Sequence, residues 1–341
     1  PQRPVTILFS QPRAGSTLLQ RMLAAHPAIH SHPEPHLLTP LAHLGYYANV
    51  ERAPYDHLNA AQALRLFVQG LPGGEADYLD ALRAYTDTLY GRHLAASSRQ
   101  IFLDKTPAYA LILPFLRRLY PDAHYLVLTR HPLAVFSSYA GSFFEGDWDQ
   151  ALAFNPILDR YVPAISALLR ERPHKLLHLH YSALVQAPEE AAERIFHWLG
   201  LEHHPGAVDY GASTATQGRP PLSAPGRGDP FTVSREQRPV TDSLERWAAE
   251  VQGSAHKSAL ARAMLQRLDP ADLHFWGGDA ERLLAPLAQR QRGQVKARPW
   301  NRYRIERAIF LALRRDIHKR PHGRLLKRLR YYCDVLLRDA L

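Results

Sequence analysis

Short apolar runs alternate with segments of helical spacing along residues 5–199. The apolar runs predict four strands: Val5–Phe9, Ile101–Leu103, His124–Leu128 and Leu176–His180. Each is followed by a helical pattern; these patterns cover Ser16–Ala25, Ala108–Leu119, Pro132–Tyr139 and Pro188–Leu199. Because strands that alternate with helices form parallel sheets, the pattern indicates an α/β fold with three layers, a central parallel sheet flanked by helices.

Two stretches depart from this pattern. Residues 31–95 have no strong strand signal, and we expect helices and loops inserted between strands of the sheet, apart from a short strand directly before Glu34. Residues 203–240 are rich in Gly, Pro, Ser and Thr, which predicts a long loop. Loops of this length in compact domains act as lids or are disordered.

The positive charge of the chain is concentrated at its C-terminus. The 341 residues carry a net charge of +10, and residues 290–341 alone hold 16 Lys and Arg against 4 Asp and Glu. Apolar stripes at helical spacing run through this segment, from Ile305 to Leu313 and from Leu325 to Leu336. We therefore divide the chain into a domain over residues 1–289 and a basic helical C-terminal extension over residues 290–341. We expect its helices to pack on the domain; docking on a membrane surface or a partner is the alternative.

Composition narrows the class of protein further. The chain is 46% hydrophobic and 22% charged, which is typical of a globular protein and excludes a disordered or fibrous one. No apolar run approaches the ~18–20 residues that span a bilayer, and the N-terminus does not resemble a signal peptide. The single cysteine, Cys333, cannot form an intramolecular disulfide. We expect a cytoplasmic protein with no transmembrane segment and, since no nucleic-acid-binding module is recognisable, no nucleic-acid partner. The basic C-terminus leaves a nucleic-acid-binding protein as a distant alternative function.

The segment Ile7–Leu19 has the features of an anion-binding turn. A predicted strand enters a tight turn and a helix begins directly after it, through Pro12, Arg13, Ala14, Gly15, Ser16 and Thr17. A helix N-terminus offers unpaired N–H groups and the positive end of the helix dipole. The glycine allows close approach of the backbone, and the arginine and hydroxyls add donors. The segment predicts a phosphate cradle, with an ordinary N-capped helix as the alternative. It lacks the Walker A spacing of a P-loop kinase.

A second strand–turn–helix unit carries Arg130 at the end of its strand and Ser138 eight residues later. The guanidinium and the hydroxyl are placed to share one phosphate. Two anion sites on one parallel sheet predict a ligand with two separated phosphates.

Together, the two units resemble the sulfotransferases that use 3′-phosphoadenylyl sulfate (PAPS). The turn from Pro12 to Thr17 is similar to their 5′-phosphosulfate loop, and Arg130, Pro132 and Ser138 match their 3′-phosphate motif. The segments around Tyr181 and Arg238 resemble further elements of the family, so that the likeness covers residues 4–250. It implies a P-loop-like fold and PAPS as co-substrate, leaving as 3′,5′-adenosine bisphosphate. The cofactor-binding residues that it implies are Arg13, Ala14, Gly15, Ser16, Thr17, Arg130, Ser138, Tyr181 and Arg238.

Within that family, the chain is most similar to the tyrosylprotein sulfotransferases. Arg13 through Leu18, then Ala25-His26-Pro27, and then Glu34 occupy the positions of their loop, their following helix end and their acidic base. The family has a Glu-Glu pair where this chain has Pro33-Glu34, and His36 replaces a basic residue. The eukaryotic enzymes are membrane-anchored and disulfide-bonded, so this chain resembles a soluble bacterial relative.

The resemblance implies in-line transfer of a sulfuryl group to a hydroxyl, in which positioning and charge stabilisation dominate. Glu34 is the expected general base and His32 the alternative; Arg13 and Lys105 would stabilise developing charge. We expect the acceptor to be a tyrosine in an acidic peptide or protein, with a carbohydrate, small-metabolite or carrier-bound hydroxyl as the alternative. Residues 31–95 and 203–240 are expected to set this choice, and a homodimer is left open.

No metal is expected in this chemistry. Four histidines lie close together between His26 and His36, and imidazole is a good zinc ligand. Their spacing matches no closed zinc motif, and the one cysteine lies far away in the sequence. We interpret His26 as the histidine that the resembling family has before Pro27, and the other three as residues that line an acceptor cleft rather than as metal ligands.

Overall fold

A five-stranded parallel sheet lies at the centre of the described part of the chain. The computed structural model describes residues 5–47, 57–154, 157–210, 238–241 and 244–285, and the single positions 305, 309, 321, 323, 325 and 329. The strands are β1 (Val5–Ser10), β2 (Ile29–Pro33), β3 (Ile101–Lys105), β4 (His124–Thr129) and β5 (Leu176–His180). Their order across the sheet is β2-β3-β1-β4-β5. The sheet confirms the predicted fold class.

Helices connect the strands. The α-helices are α1 (Ser16–Ala25), α2 (Leu38–Ala42), α3 (His57–Gln69), α4 (Glu75–Ser97), α5 (Leu113–Leu119), α6 (Pro132–Phe143), α7 (Trp148–Phe154), α8 (Val162–Glu171), α9 (Tyr181–Gln186), α10 (Pro188–Trp198), α11 (Arg246–Gln252), α12 (Ala255–Gln266) and α13 (Ala280–Leu284). Shorter 3₁₀ helices cover Pro107–Ile112, Pro205–Ala207 and Pro270–Trp276, and a π-helix covers Ile157–Tyr161.

The helices cover both faces of the sheet, as the apolar composition of the central strands requires. Every residue of β1 is buried. Because successive side chains of a strand point to opposite faces, Ile7 and Phe9 join one apolar cluster with residues of α5, α6 and α8, and Leu8 joins another with residues of α1 and α10. The two clusters and the sheet between them are the three expected layers.

The structure differs from the sequence prediction at two helices. The pattern predicts one helix over Ala108–Leu119, but the chain forms a 3₁₀ helix and then α5. Pro114 lies in the first turn of α5, where its missing N–H and fixed φ are tolerated, whereas inside one long helix it would break a hydrogen bond. Helix α6 extends four residues beyond the predicted end at Tyr139.

Most of the predicted loop at 203–240 and of the basic extension lies outside the described residues. Four apolar stripe positions of the extension are described: Ile305, Ile309, Leu325 and Leu329 are helical, and all four are exposed. How the extension packs on the domain stays a prediction, because the rest of its helices lies outside the described residues. In the part of the chain that the structure covers, no helix has the length and apolarity to cross a membrane.

Candidate active site

Each strand of the sheet delivers one predicted site residue to the same edge. In the spatial order of the strands these residues are Glu34 after β2, Lys105 at the end of β3, Arg13 after β1, Arg130 after β4 and Tyr181 after β5. The carboxyl ends of parallel strands meet at one edge, which is where open α/β sheets bind ligands. The structure therefore collects residues that lie up to 168 positions apart in the sequence.

The turn after β1 forms the predicted cradle. Arg13 has a φ of 69° and Gly15, the N-cap of α1, a φ of 98°, both in the left-handed region. The Ala14 N–H donates to the Gln11 carbonyl oxygen at 3.2 Å and closes the turn. No side chain caps α1 and its first turn holds no acidic residue. The N–H groups of that turn are thus available to an anion.

The ring of Tyr181 packs directly on Gly15. A Cβ at Gly15 would lie 2.4 Å from Cε2 of this ring, far inside contact distance. The guanidinium of Arg130 also lies over the Tyr181 ring, with its central carbon 4.3 Å from the ring centre. Glycine is thus required by both its backbone angle and its neighbour, and the tyrosine links the two predicted anion sites.

The two anion-binding motifs also contact each other directly. Nε of Arg13 donates to the Ser138 hydroxyl at 3.3 Å. Nη1 of Arg130 donates to the backbone oxygen of Arg13 at 3.2 Å. Arg13 therefore contacts both members of the second motif, Arg130 and Ser138, which were expected to share one phosphate.

Helix α6, which carries Ser138, is held at both its start and its middle. His131 caps it by accepting the N–H of Leu133 through Nδ1 at 3.2 Å. Burial lowers the pKa of His131 to about 4, so the ring is a neutral acceptor at physiological pH. In the middle of the helix, the Ser137 hydroxyl donates to Glu250 of α11. These contacts fix the rotation of α6 and thereby the direction of the Ser138 hydroxyl.

Glu34 and Lys105 form a close ion pair at the other end of the site. Nζ of Lys105 lies 2.6 Å from Oε1 of Glu34 and 3.5 Å from the Thr17 hydroxyl oxygen. The Lys105 side chain is fully buried, whereas Glu34 keeps 20% of its side chain exposed. The pair thus connects the cradle to a carboxylate that solvent and an acceptor can reach.

The backbone at Glu34 has an unusual conformation. Its φ is 27° and that of His36 is 51°, with Pro35 between them. Residues before proline normally adopt extended backbone, and such outliers persist only where surrounding contacts over-determine them. The His36 ring lies near the same carboxylate, with Nε2 3.9 Å from Oε2 of Glu34.

The other histidines of this region have different surroundings. The centre of the His32 ring lies 5.9 Å from that of His93 on α4. His26 closes the turn after α1 by contacting Ala28 N–H and the Glu202 carbonyl, both at 3.0 Å, and burial lowers its pKa. Among the described residues, no group of three or more histidine, cysteine, aspartate or glutamate side chains is arranged to hold a metal ion.

Arg238 is the predicted residue that the structure does not bring to the cluster. Its guanidinium is half exposed and pairs with Asp209 at 3.1 Å and with Glu189 of α10. These are surface ion pairs, and the segment before Arg238 lies outside the described residues. Its assignment to the cofactor stays a prediction.

Sequence reasoning missed a buried network next to Lys105. Asp104 is fully buried and accepts hydrogen bonds from Tyr90 at 2.6 Å, Tyr109 at 2.9 Å and Thr106 at 3.3 Å. Burial raises the pKa of Asp104 to about 6, while the hydroxyl donors and the Lys105 charge hold it down. The signal available in the sequence was an aspartate at the end of an apolar strand.

The residues present fit the co-substrate that the motifs imply. The cradle, with its required glycine and uncapped helix end, suits one anionic group, and the arginines with Ser138 suit a second. The carboxylate and the buried lysine lie on the opposite side of the cradle from Tyr181. An anionic donor would therefore lie along the strand ends, with its reactive group towards Glu34.

Comparison with known proteins agrees with this geometry. The sequence profile described as "Sulfotransferase family" matches residues 4–205. The chain is 28% identical over 220 residues to the nodulation protein NoeE of Sinorhizobium fredii, covering 58% of this chain and 50% of that protein. It is 24% identical over 199 residues to a Caenorhabditis briggsae protein named "Putative protein-tyrosine sulfotransferase", covering 56% and 64% respectively. The chain thus spans about half to two thirds of these relatives.

A solved structure with a similar fold is the sulfotransferase domain of the Synechococcus PCC 7002 olefin synthase. It is 22% identical, with a TM-score of 0.48 over 72% of this chain and 86% of that domain. Since the family profile covers more than half of the chain, the protein belongs to the sulfotransferase family. Sulfotransferases of this family generally use PAPS as the sulfate donor, and they act on acceptor substrates.

Proposed function

We propose that this protein transfers the sulfuryl group of PAPS to an acceptor hydroxyl, with Glu34 as the general base. The observation that carries the proposal is the Glu34–Lys105 pair, which lies beside the cradle at the ends of neighbouring strands. A carboxylate in this position can accept the hydroxyl proton as the new S–O bond forms. Lys105, Arg13 and the N–H groups of α1 would stabilise charge on the sulfuryl oxygens and on the departing phosphate.

The donor would be bound along the strand ends by the residues of the two motifs. The cradle from Arg13 to Thr17 would hold the 5′-phosphosulfate, and Arg130 with Ser138 would hold the 3′-phosphate. Tyr181, which contacts both Gly15 and Arg130, would lie against the nucleotide. Arg238 would join them from the loop. The product is 3′,5′-adenosine bisphosphate, and the chemistry of these donors needs no metal.

The acceptor we propose is a tyrosine in a peptide or protein with acidic neighbours. The support is the residue-by-residue likeness from Arg13 to Glu34 and the 24% identical relative whose name includes a protein-tyrosine acceptor. A carbohydrate or small-metabolite hydroxyl is the second candidate. It is supported by Pro33 and His36, which differ from the tyrosine enzymes beside the base, and by the 28% identical relative, whose name includes no protein-tyrosine acceptor.

The test is transfer of label from PAPS to a panel of an acidic tyrosine peptide, a sugar and a simple phenol. We expect the peptide to be labelled and Glu34→Gln to lower turnover at least about a hundredfold. The matched control is Asp149→Asn, which neutralises an exposed carboxylate paired with His256. If no acceptor is labelled, the proposed activity is refuted. If only the sugar is labelled, a carbohydrate hydroxyl replaces tyrosine as the proposed acceptor. Near-normal turnover of Glu34→Gln would refute the role of Glu34 as the general base.

A further inference from the structure

A hydrogen-bonded chain connects the segment that carries Glu34 to the strand that carries Lys105. After Glu34 the backbone continues through Pro35 and His36 and enters α2 at Leu38. The Leu38 N–H donates to the Tyr109 hydroxyl oxygen at 3.0 Å. The Tyr109 hydroxyl in turn donates to Oδ2 of Asp104 at 2.9 Å. Asp104 directly precedes Lys105 on β3.

The directions of these hydrogen bonds are mutually consistent. A carboxylate only accepts hydrogen bonds, so the Tyr109 hydroxyl donates its one hydrogen to Asp104. A lone pair of the same hydroxyl oxygen accepts the hydrogen bond from the Leu38 N–H. Hydrogen bonds in such a chain polarise one another in a low-dielectric interior. Tyr109 and Asp104 are both completely buried, so each missing partner would leave a polar group without water to replace it.

The strained segment needs such an anchor. Glu34 and His36 have positive φ angles, which residues other than glycine rarely adopt unless surrounding contacts impose them. The start of α2 offers no side-chain cap of its own, since its N-cap position is Leu37. The Tyr109 hydroxyl, reaching across from the 3₁₀ helix after β3, satisfies the first N–H of α2 instead.

We propose that Tyr109 is a positioning residue that sets Glu34 against Lys105 for proton removal from the acceptor. This inference rests on the proposed function, because it takes Glu34 as the base. The hydroxyl holds the segment of Glu34 through Leu38, and it holds the strand of Lys105 through Asp104. One hydroxyl therefore fixes the position of Glu34 relative to Lys105. A displacement of about 1 Å at a reacting group can cost a hundredfold in rate.

The experiment compares Tyr109→Phe with Tyr90→Phe. Tyr90 is equally buried and donates to the same Asp104 oxygen, at 2.6 Å, but its described contacts do not include the Glu34 segment. Both variants keep the ring and remove one donor from Asp104. We expect Tyr109→Phe to lower kcat at least about tenfold, with KM for PAPS and the affinity for 3′,5′-adenosine bisphosphate unchanged within about twofold. Tyr90→Phe should keep kcat within about threefold of the wild type.

A readout independent of turnover is amide hydrogen exchange of residues 34–42. Exchange at Leu38 should accelerate in Tyr109→Phe and stay unchanged in Tyr90→Phe. Equal kcat values in the two variants, or a loss confined to donor affinity, would overturn the proposal. If Tyr109→Phe gives no folded protein, the same measurements are made on Asp104→Asn. We expect this variant to have a lower kcat and to keep its affinity for the donor. A wild-type protein that labels no acceptor would instead refute the proposed function, and the positioning role with it, even if the exchange data agreed.

Discussion

The contact between Gly15 and Tyr181 makes Gly15→Ala the most informative single substitution. The new Cβ would lie 2.4 Å from Cε2 of Tyr181, so the ring must retreat by about 1 Å to reach ordinary van der Waals contact. The left-handed φ of 98° adds about 1–2 kcal/mol of backbone strain. Displacement of the ring also disturbs its stacking with the Arg130 guanidinium, which adds up to about 1–2 kcal/mol of lost cation–π attraction.

These effects act where the donor nucleotide would bind. If about 1.5–3 kcal/mol of them is expressed in binding, the affinity for 3′,5′-adenosine bisphosphate falls by roughly 10- to 150-fold. Calorimetric titration measures this directly. The matched control is Gly200→Ala, because Gly200 also has a positive φ, 71°, but no atom within 4 Å of an added Cβ. It should lose stability without losing affinity. Equal affinities of the two variants would refute the reasoning.

Three further predictions concern charged groups. Lys105→Met should lower kcat at least about a hundredfold while the bisphosphate affinity changes little, as initial rates and titration will show; unchanged kcat would remove the lysine from the chemistry. Burial lowers the pKa of His131 and of His178 to about 4 from 6.5, so the stability that each contributes is present above pH 6.5 and is lost, about 3 kcal/mol each, as the pH falls to 4. Urea unfolding should show a smaller acid loss in His178→Gln, and identical pH profiles would contradict this. Arg238→Ala should change the free energy of unfolding by less than about 1 kcal/mol, because its ion pairs are exposed. If the variant binds 3′,5′-adenosine bisphosphate as tightly as the wild type, Arg238 is not a cofactor-binding residue.

Much of the fold could be predicted because its central strands are apolar throughout. The runs that became β1 and β4 were located to within one residue, since a strand buried on both faces is apolar along nearly its whole length. The edge strand β5 was also located, because its buried leucines alternate with half-buried positions. The edge strand β2 was expected only as a short strand without bounds. Its sequence, IHSHP, has one apolar residue followed by three polar residues and a proline, so neither hydrophobicity nor β-propensity defines its limits.

The site could be predicted only as far as its motifs are local. The cradle and the Arg130 unit each lie within about a dozen residues, and the structure joins them through Arg13 and Ser138. The network of Asp104 and Tyr109 was missed because its meaning depends on Leu38, 71 positions from Tyr109. Long-range pairing of this kind has no periodicity in the sequence.

The strand order β2-β3-β1-β4-β5 has a further consequence. The connection after β1 leads towards β2 on one side, and the connection after β3 leads to β4 on the other, so the topological switch point lies between β1 and β3, beside the turn after β1. The arginine and tyrosine of the proposed nucleotide half follow β4 and β5, and the carboxylate and lysine of the proposed acceptor half follow β2 and β3. Evolution or design could therefore rebuild the chain around one edge of the sheet to accept a different hydroxyl, while the other edge continues to hold the same nucleotide.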